Sequence, residues 1–237
     1  MTWSIVARAD DGSFGVAVAS RFFAVGALCP HVRNGAGALA TQALVNPLYA
    51  QPGLDALAHG EAPAAVVAAL VAADAGREHR QLHMIDAGGR VAAHTGSACV
   101  AWCGHRGGDG YSTAGNMLAS ADVLAATAAA YESGAALPFA ERLLVALAAG
   151  EAEGGDKRGK QAAALIVCTT ETYPALDLRV DDHAEPITEL FRLLHKSAER
   201  FQPFVSCLPR HDDPAGVYDR SVIEARIAKF HAAADVR

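Results

Sequence analysis

Apolar and polar positions alternate from the start of the chain. Residues 2–8, Thr-Trp-Ser-Ile-Val-Ala-Arg, and residues 14–20, Phe-Gly-Val-Ala-Val-Ala-Ser, each have strand character, and Asp10-Asp11-Gly12 between them is a turn signal. The pattern therefore predicts an opening β-hairpin, with Thr2 at its open end. Further strands are expected near 26–33 and 36–42, at 80–86 and 90–95 around Asp86-Ala87-Gly88-Gly89, at 97–103, at 161–168 and at 175–181. A short strand is expected at 111–116. Helices are expected over 47–59, with Asn46 as N-cap and Pro47 at the first helical position, and over 62–75, 117–133 and 138–149. Ile187, Leu190, Phe191, Leu194, Ala198 and Phe201 keep helical spacing, and a last helix is expected over roughly 219–235. Gly104 to Gly110 and Gly154 to Gly159 are expected to be loops. Strands and helices in alternating blocks suit antiparallel sheets covered by helices. The predicted organisation is one domain over 1–200, with 201–237 as a C-terminal helical appendage packed on it.

Composition narrows the function classes. With 51% apolar residues and only 6% aromatics, the core is expected to be aliphatic and rich in alanine. The formal charge of −6, with scattered Lys and Arg, argues against a nucleic-acid partner. No run of apolar residues is long enough to span a bilayer, and the start of the chain lacks the pattern of a signal peptide. A soluble, cytoplasmic protein is expected, with a small-molecule substrate, no membrane or nucleic-acid partner and no cofactor. Its alanine-rich helices offer a face for a homo-oligomer. The five cysteines, Cys29, Cys99, Cys103, Cys168 and Cys207, fit reduced thiols, and Cys99 and Cys103 are expected to be buried. No metal site is expected from the Cys or His spacing. His59, His83 and His195 are expected on the surface.

The candidate chemistry centres on Thr2. Methionine aminopeptidases remove Met1 when residue 2 is small, which would leave Thr2 carrying both a hydroxyl nucleophile and a free amine. An α-amine titrates near pH 7.7–8.0, so it can take the hydroxyl proton as its own base. A cation nearby would favour the neutral amine and steady an oxyanion. Arg21, just beyond the second strand, and Arg33, on the third, compete for that role. Asn116, at a strand-to-helix junction, is either an oxyanion donor or an N-cap. Asp156, Lys157 and Arg158 lie in a glycine-flanked loop, from which Arg158 can bind a carboxylate bidentately, unless the loop is a solvated turn. Gln161 either meets substrate or closes that turn. His94, at a strand end, either orients substrate or bonds to backbone.

The segments Thr2 to Arg8, Gly15 to Gly26, Ala40-Thr41-Gln42-Ala43, His94-Thr95-Gly96, Gly115 to Leu118, Gly154 to Gln161 and Asp177 to His183 together resemble one bacterial and archaeal family. That family is the domain of unknown function numbered 1028, grouped with the N-terminal nucleophile hydrolases. The resemblance covers roughly residues 2–195 and departs at Ala162, where a serine is expected. It implies an α+β fold of four layers, αββα, with two antiparallel sheets between helices. It also implies hydrolysis of a small amide or peptide-like substrate. Thr2 would then be the nucleophile, Arg21 or Arg33 would tune its amine, and Asn116 or Gln42 would hold the oxyanion. Gln42, His94, Asp156, Arg158 and Gln161 would meet the substrate. A non-catalytic binding protein on the same fold is the competing reading, and a hydrolase using Cys99, Cys103 or Asp/His groups ranks behind both.

Overall fold

The computed structural model describes residues 2–234. The chain divides into two compact units at Leu190/Phe191. The first unit holds two antiparallel sheets. The larger has six strands in the order β10-β9-β2-β1-β8-β7, and the smaller has four in the order β3-β4-β5-β6. The larger is built from β1 (Thr2–Arg8), β2 (Phe14–Ser20), β7 (Gly104–Gly108), β8 (Tyr111–Asn116), β9 (Ala162–Cys168) and β10 (Leu176–Val180). The smaller uses β3 (Pro30–Arg33), β4 (Gly37–Ala43), β5 (Arg80–Asp86) and β6 (Val91–Thr95).

Strand alternation sorts the side chains into layers. On β1, Thr2, Ser4 and Val6 face the smaller sheet, while Trp3, Ile5 and Ala7 face helices α3 (Asp122–Ser133) and α4 (Phe139–Ala152). On β5, Gln81, His83 and Ile85 point between the sheets. Leu82 and Met84 instead join Leu54, Leu57, Val66 and Val67 of α1 (Ala50–Ala58) and α2 (Pro63–Ala72). The result is the expected order of helix, sheet, sheet, helix. The inter-sheet core is aliphatic on one side, where Val6, Val16, Val18, Ala38, Ala40, Ile85 and Ala164 meet. Within the smaller sheet, β4 and β5 leave no room for a side chain at Gly37. A Cβ at Gly37 would collide with the Ile85 carbonyl oxygen of the neighbouring strand. Gly37→Ala is therefore expected to cost about 3 kcal/mol, read as a lowered denaturation midpoint at unchanged slope.

Most expected elements form, with α1 preceded by a 3₁₀ turn over Pro47–Tyr49 that Asn46 caps by accepting from the Leu48 amide at 3.2 Å. Two expectations fail together. Residues 97–103 are irregular rather than a strand, and the glycine-rich Gly104–Gly108 is not a loop but the edge strand β7, paired with β8. Cys99 and Cys103 sit in this irregular segment and are only partly buried, because its apolar side chains line a cleft instead of a core. Residues 117–121 are not helical, so Asn116 is no N-cap; α3 starts at Asp122.

The second unit contains the end of α5 (Pro186–Glu199), then α6 (Phe201–Val205) and α7 (Arg220–Ala234). Arg200 and Glu224 pair at 2.6 Å within it. The last helix, expected to reach 235, is described as far as Ala234; residue 235 lies outside the described residues. Among the described residues, no helix is long and apolar enough to cross a membrane.

Candidate functional site

Three strands of the larger sheet end side by side at Thr2. Trp3 pairs with Ala19 and Thr2 with Asn116, which puts Thr2 between Ser20 on β2 and Asn116 on β8. Thr2 Oγ1 lies 3.1 Å from Ser20 Oγ, and Thr2 as a whole is 6% exposed. The Asn116 Nδ2 group donates to Gln81 Oε1 at 3.2 Å and reaches the Thr2 carbonyl at 3.5 Å, the long limit of a hydrogen bond.

Beneath Thr2 a polar seam crosses between the sheets. Ser4 Oγ donates to Gln42 Oε1 at 2.7 Å, and Gln42 Nε2 donates to Gln81 Oε1 at 2.7 Å. Gln81 Nε2 then donates to Thr95 Oγ1 and to the carbonyls of Gly104 and Gly115. His83 lies next to this chain, fully buried, with Nε2 2.8 Å from Ser4 Oγ and Nδ1 3.1 Å from Ser112 Oγ. Since Ser4 spends its hydrogen on Gln42, the network assigns the His83 proton to Nε2, and Nδ1 accepts from Ser112. Burial pushes the His83 pKa down to about 3, with His105 adding to the effect, so the ring is neutral at physiological pH.

Above the seam the sheet ends part into a cleft. The residues after Gln42 and Asn116, Ala43 and Met117, both have left-handed backbone, at φ 69° and 52°. Each such turn costs a non-glycine residue about 1 kcal/mol, and each carries its chain out of the sheet while the amide before it stays anchored. A basin of about 440 Å³ is lined by Thr2, Thr41, Gln42 and Arg80 with Val25, Leu28 and Val45. A second basin of about 370 Å³ is lined by Asn116, Met117, His79, Cys99, Val100 and Arg158. The two share Phe22, Ala43 and Leu44.

Of the residues expected at the site, Thr2, Gln42, Asn116 and Arg158 line this cleft. Arg33 does not. It pairs with Asp55 of α1 at 2.6 Å, and its β4 neighbour Gly37 lies about 17 Å along the strand from Gln42. Arg21 is at the Thr2 end but turns outward, where its guanidinium donates to the Arg158 carbonyl. His94 is on the helix side of β6, opposite Leu82, with Nε2 3.0 Å from the Arg77 carbonyl; it is a backbone-bonded histidine away from Thr2. Gln161 lines neither basin and does not close its own loop; it donates to Asp182 at 3.1 Å, tying the start of β9 to the segment after β10.

Asp156 has a structural role in place of substrate contact. Its carboxylate accepts from the Arg21 amide (2.8 Å), the Arg158 amide (2.8 Å) and Arg158 Nη2 (3.2 Å), with its side chain 1% exposed. It thereby ties the loop carrying Arg158 to the end of β2. Asp156→Ala strands two backbone donors and is expected to lower stability by about 2–3 kcal/mol, seen as a fall in Tm.

Sequence reasoning missed Ser4, Ser20, Gln81 and Arg80, and placed His83 on the surface. The signal for two of them was present: in Arg80-Gln81-Leu82-His83-Met84, strand alternation puts Gln81 and His83 on one face, opposite Leu82 and Met84. Arg80 is clipped between Asp74 at 3.1 Å and the Leu44 carbonyl at 2.5 Å. The hydrogen bond from Tyr49, with those from the Gly76 amide and Arg80, holds the Asp74 carboxyl well below its usual range. Burial, with Cys103 nearby, raises the Cys99 thiol above its ordinary pKa, which disfavours a thiolate nucleophile. Among the described residues, no group of three or more His, Cys, Asp or Glu is placed to hold a metal ion. Met1 lies outside the described residues.

The fold and cleft define an α+β sandwich protein with a small-molecule-sized site where its two sheets end together. The chain belongs to the family described as Family of unknown function (DUF1028), whose model matches residues 2–190. It is similar to the protein SPO2555 from Silicibacter pomeroyi, of the same family. The crystal structure of that protein superposes with a TM-score of 0.86 at 31% identity, covering 92% of this chain and 96% of that one. None of the curated proteins compared with the chain matches it.

Proposed function

We propose that the protein is an amide hydrolase of the N-terminal nucleophile type, cleaving a small amide or peptide-like substrate with Thr2. The observation that carries this reading is the placement of the Thr2 hydroxyl at the floor of a cleft, 3.1 Å from Ser20 Oγ and beside the Asn116 amide. A threonine on a strand paired on both sides, with its hydroxyl bonded to Ser20, is oriented before substrate arrives, which is what a nucleophile needs.

The chemistry requires Thr2 to become the amino terminus. Its amine then takes the Oγ proton as Oγ attacks the substrate carbonyl carbon. The C–N bond breaks, the amine leaving group takes that proton back, and the acyl group stays on Thr2 as an ester. Water attacks the ester, delivers a proton through the same amine to Oγ, and releases a carboxylic acid. The oxyanion of both steps is assigned to Asn116, whose long 3.5 Å contact with the Thr2 carbonyl is the one most readily exchanged for a charged acceptor. Gln42 is committed at both ends of its amide to Ser4 and Gln81 and supports the site from beneath.

Intact-mass measurement of protein made with normal methionine removal tests the first requirement, and trapping an acyl ester on Thr2 tests the second. A chain that keeps Met1, or that never carries an ester while hydrolysing amides, ends the proposal; ligand binding without turnover favours a binding protein.

A further inference from the structure

The two basins of the cleft have an unusual electrostatic composition. The chain carries a formal charge of −6, yet among the described residues no Asp or Glu lines either basin. The ionisable side chains that do are Arg80 beside Thr2, and His79 and Arg158 in the second basin, with the Cys29 and Cys99 thiols. The cations differ in availability. Arg80 is held by Asp74 and the Leu44 carbonyl, with 23% of its side chain exposed. Arg158 keeps 41% exposed, and the carboxylate it touches, Asp156, is shared with two backbone amides. Beyond Thr2, Thr41 and Gln42, the first basin is walled by apolar side chains, among them Val25, Leu28, Leu44 and Val45. Asn116 lines the second basin while its amide reaches the Thr2 carbonyl, so the reacting carbonyl falls where the basins meet.

We propose that the substrate is an N-acylated amino acid, its apolar acyl group seated beside Thr2 and its free carboxylate read by Arg158 in the second basin. This rests on the hydrolase reading only for the statement that the ligand is an amide. The split follows from geometry. In that pose the acyl carbon lies at Thr2 Oγ1, the acyl chain fills the apolar part of the first basin, the carbonyl oxygen meets Asn116, and the leaving nitrogen is directed into the second basin toward Arg158. A guanidinium fork matches a carboxylate bidentately. With no acidic side chain lining either basin among the described residues, a cationic leaving group finds no partner there, and a neutral one makes no use of the 41% of the Arg158 side chain that stays exposed beside Asp156.

The test uses the full chain with Thr2→Ala, which binds without turnover, titrated by calorimetry with N-hexanoyl-L-alanine, N-ethylhexanamide and N-(2-aminoethyl)hexanamide. The three share the acyl group and the amide; relative to the neutral N-ethyl compound, one adds a carboxylate on the carbon next to nitrogen and one an ammonium at the chain end. The carboxylate ligand is expected to bind at least about tenfold tighter than the neutral one, and the cationic ligand weakest. Arg158→Met in the same background is expected to erase that preference while N-ethylhexanamide binding stays within about twofold, and Arg158→Lys to keep part of it. An unchanged Tm shows that the variants fold. Equal binding of the carboxylate and neutral ligands, a preference that survives Arg158→Met, or no binding of any of the three overturns the proposal. Turnover by the unaltered protein is read separately. Carboxylate-dependent binding without turnover removes the hydrolase reading and leaves the carboxylate site standing; turnover indifferent to the carboxylate does the reverse.

Discussion

Thr2→Ala is expected to abolish amide hydrolysis, by roughly a hundred-thousandfold in kcat, and to remove the trappable acyl ester. The size of the effect follows from the role. A nucleophile that carries its own base is two functional groups in one residue, and no neighbour can replace it. Ser20 Oγ, 3.1 Å away, is the nearest hydroxyl, but it belongs to the middle of the chain and has no amine of its own. Thr2→Ser keeps the hydroxyl and the amine and is expected to retain activity within about a hundredfold. The fold should survive both changes. The alanine variant loses one side-chain hydrogen bond, worth about 1 kcal/mol, and Tm should shift by only a few degrees. A Thr2→Ala protein with full activity would remove Thr2 from the mechanism, and the hydrolase reading would have to move elsewhere.

The second large effect is on stability. His83 is neutral in the folded chain, with its pKa pushed down to about 3, against 6.5 for an ordinary histidine. The unfolded chain therefore binds one proton more than the folded chain between those two values. Stability from His83 is complete above pH 6.5 and is lost as pH falls toward 3, at about 1.4 kcal/mol per pH unit. His31 and His105 are lowered by burial in the same direction and add to the slope. Asp55 and Glu78, whose carboxyls are lowered by Arg33 and Ser97, contribute only below their unfolded values of 3.8 and 4.5. Between pH 6.5 and 4.5 these lowered carboxyls add little, while Asp177, raised by burial, works in the opposite direction, so the contribution of His83 is read as the difference between the unaltered chain and a His83 variant. His83→Gln should be less stable than the unaltered chain by about 2 kcal/mol at pH 7, because one of its serine bonds is lost. It should also show a distinctly shallower loss of stability across that interval. Denaturant titrations at stepped pH measure both, and an unchanged slope would show that the ring is already protonated in the fold.

Much of this architecture is legible in the residues. The hairpin of β1 and β2 is written in alternation on either side of Asp10-Asp11-Gly12, and Asn46-Pro47 marks the approach to α1 as expected. The failures have a common cause. The apolar run Ala98-Cys99-Val100-Ala101-Trp102-Cys103 has the composition of a strand, but part of it walls the second basin, so its apolarity serves a cleft. Gly104–Gly108 has the composition of a loop, and only pairing with β8 makes it a strand. The signal for that pairing is the Asp109-Gly110 turn, a strong hairpin marker, with Gly110 at φ 69°. At the site, Thr2, Gln42, Asn116 and Arg158 converge as expected. Arg33 and His94 do not, because a residue's position on a strand says nothing about which end, or which face, meets Thr2. That depends on how two sheets are placed over each other, and no local pattern encodes it.

The chain of amides and hydroxyls running from Ser4 through Gln42 to Gln81, with His83 alongside, also constrains how the sheets can slide. Between two greasy faces, a shift of one sheet over the other changes mainly shape fit, and several alignments can lie close in energy. Here any displacement by a residue pair would leave donors and acceptors facing hydrocarbon, each at a penalty of about 1–3 kcal/mol. The wet-looking but water-excluded stripe therefore acts as a key in a lock, admitting one alignment of the two sheets and holding Thr2 over the same few atoms in every folded molecule.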